Sequence, residues 1–88
     1  MTDYVMTLDS ASNAAYITFA EGEVAKTVDA SDYANVDLDN QGKIIGIEFL
    51  TLNVPDELVD ALTVFEELKN ESELLNKLIE TSRAAAGA

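Results

Sequence analysis

The chain has 88 residues, enough for one domain with a thin core. It carries 17 acidic and 5 basic residues, a formal charge of -12, and neither cysteine nor histidine. This balance argues against phosphate-backbone binding and anionic membranes, and it excludes disulfides, thiolate metal sites and histidine acid–base chemistry.

The first half carries strand signals. Tyr4 to Leu8 is β-prone, and Asp9-Ser10-Ala11-Ser12-Asn13 reads as a turn. Ala14 to Phe19 follows as a second strand, with Ala15, Ile17 and Phe19 alternating onto one face. Val24 to Val28 reads as a short edge strand with Lys26 pointing outward, a charge that discourages unwanted pairing. Asn35 to Asp39 and Ile44 to Leu50 form a hairpin around Asn40-Gln41-Gly42-Lys43. A two-residue loop at Gln41-Gly42 sets Leu38 against Ile45, Val36 against Ile47 and Ala34 against Phe49. That register keeps the apolar residues on one face. A three-residue loop closed by a Gly42 bulge shifts the pairing by one and loses the match, so it is disfavoured.

The second half is helical. Pro55, Asp56 and Glu57 suit a first turn, and Leu58, Leu62, Phe65 and Leu68 recur at helical spacing. Asn70 and Glu73 have the spacing of a capping box, so a second helix is expected there, with Leu74, Leu75, Leu78 and Ile79 as its apolar stripe. Ala84 to Ala88 reads as a frayed tail. The expected fold class is α+β: a small antiparallel sheet of three to five hairpin-based strands, then two C-terminal helices packed on one face. The chain is one domain over 1–88, with a sheet region at 1–52 and helices at 54–69 and 71–84.

The second strand and the hairpin carry a resemblance. Asn13-Ala14-Ala15-Tyr16-Ile17 is similar to an acid-Ala-Leu-Tyr-Ile strand, with Asn for the acid and Ala for Leu. Val36-Asp37-Leu38-Asp39-Asn40-Gln41-Gly42-Lys43-Ile44-Ile45-Gly46-Ile47-Glu48-Phe49-Leu50 fits an acidic strand, a glycine turn and a Val-Gly-Ile-Glu-Ile strand. This resembles the small bacterial and phage proteins of the domain of unknown function 2283 family, over roughly the first 50 to 55 residues. At the first strand Leu8-Asp9 stands where that pattern has Tyr-Asp. The resemblance implies a compact sheet with a trailing helix and carries no settled biochemical function. Some members sit beside small toxin-like proteins, which implies an antitoxin-like or partner-binding role.

Asp37, Asp39 and Glu48 alternate onto the face opposite Val36, Leu38, Ile45, Ile47 and Phe49. Three carboxylates on one face suit a hard cation such as Ca²⁺ or Mg²⁺, but the spacing is not that of an EF-hand loop, and a solvated acidic face beside a turn is the better explanation. Gly46 stands mid-strand, where glycine marks a bulge or a close neighbour, here Tyr16 or a partner backbone. Tyr16, Ile44, Glu48 and Leu50, together with Leu75, Leu78 and Ile79 of the last helix, are the candidate interface residues. No nucleophile elbow or phosphate-cradling glycine loop is present, so no catalytic or cofactor-binding residue is assigned.

The expected function is a non-enzymatic protein-binding or regulatory module acting as a homo-oligomer, a dimer, with a basic protein as a second partner. Alternatives are a structural homo-oligomer, an antitoxin-like partner of a basic protein, and a carboxylate-based metal-binding protein or hydrolase. The first residues show no secretory signal, and no stretch approaches the roughly 20 apolar residues of a bilayer span, so a cytoplasmic location is expected.

Overall fold

Period-two alternation over the first half and a leucine stripe over the last part fold into separate layers. The computed structural model describes residues 3–87. Its strands are β1 (Val5–Asp9), β2 (Ala14–Thr18), β3 (Lys26–Ser31), β4 (Ala34–Leu38) and β5 (Ile44–Phe49). They form one antiparallel sheet in the order β1-β2-β5-β4-β3. α1 (Leu58–Leu62), a 3-10 turn at Glu66–Leu68, and α2 (Ser72–Ala86) follow. The α+β class read from the sequence is what the chain adopts.

The apolar rows of the central strands make the core. Ile17, Val36, Ile47 and Phe49 are fully buried and share one cluster with Leu52, Val54, Leu58, Leu62 and Leu68. Leu75, Leu78 and Ile79 of α2 complete it at 0, 0 and 1 % exposure. They cover the chain's own sheet, which corrects their expected use as a surface for a second chain. Burial of each such side chain is worth about 1.5–3 kcal/mol, so the molecule needs them inside.

The hairpin between β4 and β5 takes the three-residue loop at Gly42 that the sequence disfavours, not the two-residue one. Asp39 and Lys43 close a three-residue loop: the Asp39 N–H donates to the Lys43 carbonyl at 2.9 Å, and the Gly42 N–H donates to the Asp39 carbonyl at 3.0 Å. Gly42 sits at φ 80°, in the region that glycine occupies without cost. Leu38 then pairs with Ile44, not Ile45. One strand position on, an irregularity leaves Ile45 as an extra residue, and Asp37 pairs with Gly46. The two shifts cancel. Val36 meets Ile47 and Ala34 meets Phe49, the expected partners. Ile44 consequently turns into the core at 3 % exposure, which corrects its expected place on the outer face. Its N–H donates to the Glu67 carboxylate at 2.7 Å.

Other boundaries also move. The edge strand β3 begins at Lys26, because Val28 pairs with Val36, and Val24 stays 50 % exposed outside the sheet. The expected helix over 54–69 is broken. Its start and finish are i→i+3 turns, with Leu58 bonded to Pro55, Phe65 to Leu62, Leu68 to Phe65 and Glu71 to Leu68. Thr63 and Val64 are β-branched and poor helix formers, and Phe65 is extended at ψ 132°. The capping box does not form: the Glu71 turn makes Glu71 the N-cap, so Asn70 lies one residue early, and no side chain caps the helix. The alanine tail is helical to Ala86, in keeping with alanine's propensity.

α2 is also tied to the β5–α1 connection. The buried Ser82 hydroxyl donates to the Leu52 carbonyl at 2.7 Å, and Arg83 Nε donates to the Val54 carbonyl at 2.6 Å. Arg83 also pairs with Asp56 at 2.8 Å. From the other side, Asn13 accepts from the Leu52 N–H at 3.0 Å and donates to the Thr51 hydroxyl at 3.2 Å. Asn13 has φ 53°, which an asparagine tolerates. Its amide supplies both a donor and an acceptor, which an ionised acid there would not.

Truncating Leu78 to alanine removes a fully buried side chain from the middle of this layer. Leu78→Ala is expected to lower stability by about 2–5 kcal/mol, read as a shifted urea midpoint at unchanged slope.

Candidate functional site

The helices cover one face of the sheet and leave the other uncovered. Alternation and the observed register place Asp9, Asp29, Asp37 and Glu48 on the uncovered face, with Thr7, Tyr16, Thr27 and Asn35. No lysine or arginine of the strands alternates onto it; Lys26 pairs with Leu38, one position out of phase.

Tyr16 organises the centre of this face. It rises from β2 opposite Glu48, and its ring crosses β5 at Gly46 to reach β4. The hydroxyl donates to Asp37 Oδ2 at 2.6 Å. The second carboxylate oxygen, Oδ1, accepts from the Thr27 hydroxyl at 2.7 Å. One hydrogen-bonded chain thus links β2, β4 and the edge strand β3. Gly46 makes it possible: a Cβ there would lie 2.0 Å from the Tyr16 hydroxyl oxygen. The mid-strand glycine therefore makes room for Tyr16 within the chain itself.

The environment holds Tyr16 in its neutral form. Its pKa is pushed up to about 12, chiefly by partial burial, then by the hydrogen bond to Asp37 and the negative charges of Asp37 and Glu48. At neutral pH the phenol is a fixed donor; it is neither a nucleophile nor a base.

The three carboxylates singled out in the sequence do not form one site. Asp37 is engaged by Tyr16 and Thr27. Asp39 folds back on its own turn, where Oδ1 accepts from the N–H groups of Gln41 and Lys43, both at 2.9 Å. Glu48 stands between Tyr16 and Asn35 on neighbouring strands. Among the described residues no group of three or more acidic side chains is disposed to hold a metal ion. Of the candidate interface residues, Tyr16 and Glu48 are half-buried on the uncovered face, and Leu50 is 45 % exposed just beyond β5. Ile44, Leu75, Leu78 and Ile79 lie in the core. Sequence reading missed Thr27, because β3 was placed two residues early; the signal was Thr27 alternating with Val28 in a strand centred further along.

A recess of about 510 Å³ opens at the start of β5, lined in part by Phe19, Asp39, Lys43, Ile45 and Glu67. Two of its carboxylates are already engaged, Asp39 by its turn and Glu67 by the Ile44 N–H.

Fold and site define a small sheet protein with helices on one side and a hydrogen-bonded acidic face on the other. Residues 6–52, more than half of the chain, match the family described as Protein of unknown function (DUF2283), and the protein belongs to that family. Comparison with curated proteins and with solved structures found no match. Both helices follow the matched span. Among the described residues no helix is long and apolar enough to cross a membrane.

Two outcomes follow from the Tyr16 geometry. Gly46→Ala is expected to destabilise by several kcal/mol, on the order of 3, and the cost should fall to under about 1 kcal/mol in a Tyr16→Ala background. A double-mutant cycle by urea unfolding measures this. The Tyr16 pKa is raised from 10.0 to about 12, so the folded state holds this proton more tightly than the unfolded chain. Its contribution to stability is complete below pH 10 and is lost as pH rises through 12. Ultraviolet titration should show a tyrosine ionising near pH 12 that is absent in Tyr16→Phe.

Proposed function

We propose that this protein is a non-enzymatic protein-binding module that presents the uncovered face of its sheet to a basic protein partner. The observation that carries the reading is that face itself: Asp9, Asp29, Asp37 and Glu48 with no strand cation among them, around a Tyr16 held by its hydrogen bond to Asp37. A side chain already held in place loses little freedom on binding, and tyrosine is a frequent anchor of interfaces. An acidic field of this kind speeds encounter with a basic surface and disfavours acidic competitors. Nucleic acid and anionic membranes are repelled by the same field. The chemistry of the face supports binding over catalysis, since Tyr16 is neutral and both oxygens of Asp37 accept from hydroxyls.

The reading is tested by titrating the labelled protein with a Lys/Arg-rich peptide and following amide resonances. Shifts should centre on Tyr16, Asn35, Asp37 and Glu48, weaken steeply with salt, and lose at least about tenfold in affinity in Glu48→Lys. Shifts centred on α2, or a Glu48→Lys variant that binds as tightly, would refute it.

A further inference from the structure

The two edges of the sheet are built differently. β3 is guarded by Lys26 and by an irregularity between Asp29 and Ser31. β1 has no lysine, no proline and no bulge, and it pairs with β2 without a break over all of Val5–Asp9. Its side chains stay unusually bare, with Val5 66 % and Leu8 40 % exposed.

The hydrogen-bond phase shows which β1 groups are free. The Phe19 N–H donates to the Ile45 carbonyl, so the odd residues of β2 face β5 and Ala14, Tyr16 and Thr18 face β1. Their partners Asp9, Thr7 and Val5 therefore point inward. The N–H and C=O groups of Met6 and Leu8 point outward from the sheet, in the phase of a strand awaiting a neighbour.

We propose that β1 pairs antiparallel with β1 of a second copy, about a two-fold axis through Thr7, joining two sheets into one of ten strands. This goes beyond the basic-partner reading and does not depend on it. In this register Met6 forms a hydrogen-bonded pair with Leu8 of the partner subunit, and Leu8 with the partner subunit's Met6. Thr7 meets its own copy, a favourable cross-strand pair. Met6 already packs against the core cluster, so the row Met6–Leu8 extends that core across the junction. Asp9 falls opposite a valine. Moving the axis to Met6 would instead set Asp9 against Asp3 of the partner subunit, and like charges opposite each other are unfavourable.

Net charge does not forbid the pairing. The closest acids across the junction, Asp9 and the partner subunit's Asp3, are diagonal neighbours about 7–8 Å apart, at the screening length of about 8 Å at physiological salt, and the two Glu48 side chains are five strand spacings, about 24 Å, apart. The other edge is guarded, so the assembly closes at two copies and does not grow. The axis stands perpendicular to the sheet, which leaves both acidic faces on the same side.

Sedimentation equilibrium from about 5 to about 500 µM, in about 0.15 M salt, spans the affinities that a single strand pair supports. The average mass should rise from 9.5 kDa toward twice that value. Met6→Pro removes an outward N–H and leaves the β1–β2 ladder intact. Leu8→Lys leaves every backbone group in place and charges the junction. Each should weaken association at least tenfold. The Met6 and Leu8 amides should also exchange hydrogen more slowly at high than at low concentration. A monomer throughout the range overturns the proposal, as does a dimer that keeps its affinity in Leu8→Lys. If Met6→Pro fails to fold in a thermal melt, the Leu8→Lys result decides.

Discussion

Val36 lies opposite Ile47 across the β4–β5 ladder, and both side chains are fully buried. Side chains alternate with a period of two, so this one pairing commits every residue of both strands to a face. A slip of one position would turn one strand inside out against the other, sending Val36 or else Ile47 and Phe49 to solvent and bringing Asp37 or Glu48 into the core. Burying an unpaired carboxylate costs far more than any turn preference returns. The hairpin accommodates that demand with a three-residue loop at Gly42 and an extra residue at Ile45. Each irregularity alone would break the register, and together they restore it.

The acidic face follows from the same pairing. Asp37 stands beside Gly46 only because the bulge at Ile45 moves β5 by one, and Tyr16 reaches Asp37 only because position 46 has no side chain. The resulting Tyr16–Asp37–Thr27 chain runs across three strands on the side that no helix covers. It does for that face part of what packing does for the other, fixing strand positions through directed bonds with one ionised acceptor, which are stronger than neutral ones.

On the covered side the sheet supplies one wall and the segment after β5 supplies the other. Ser82 and Arg83 hold the carbonyls of Leu52 and Val54 while Asn13 holds the opposite side of the same connection. α2 therefore docks in one orientation, and its three innermost side chains belong to the core. The two surfaces proposed for partners, the uncovered face and the bare edge of β1, differ in chemistry. One is acidic and fixed; the other offers unpaired backbone groups and apolar side chains. A small domain that uses both can bind its own copy and a basic protein without competition between the two.

The sequence by itself determined the α+β class, the hairpin of β4 and β5, the face assignment of Ala15, Ile17, Val36, Ile47 and Phe49, and the stripe of α2. Those features rest on alternation and helical spacing, which are local and repeat along the chain. The link between Gly46 and Tyr16 was legible as one of two possibilities, because a mid-strand glycine implies a close neighbour without naming it. Only the tertiary structure decided the loop and bulge that cancel, the inward turn of Ile44, the late start of β3 that brings Thr27 to Asp37, and the broken first helix. It also decided that Leu75, Leu78 and Ile79 cover their own sheet and that Asp39 serves its turn apart from Asp37 and Glu48. Each of these depends on a partner distant in sequence: Glu67 for the Ile44 N–H, Asp37 for Thr27, the sheet for α2. Local propensity fixes which residues want burial or a hydrogen bond. Which distant group meets that need is set when the chain closes on itself, where a single inserted residue changes the face of everything that follows.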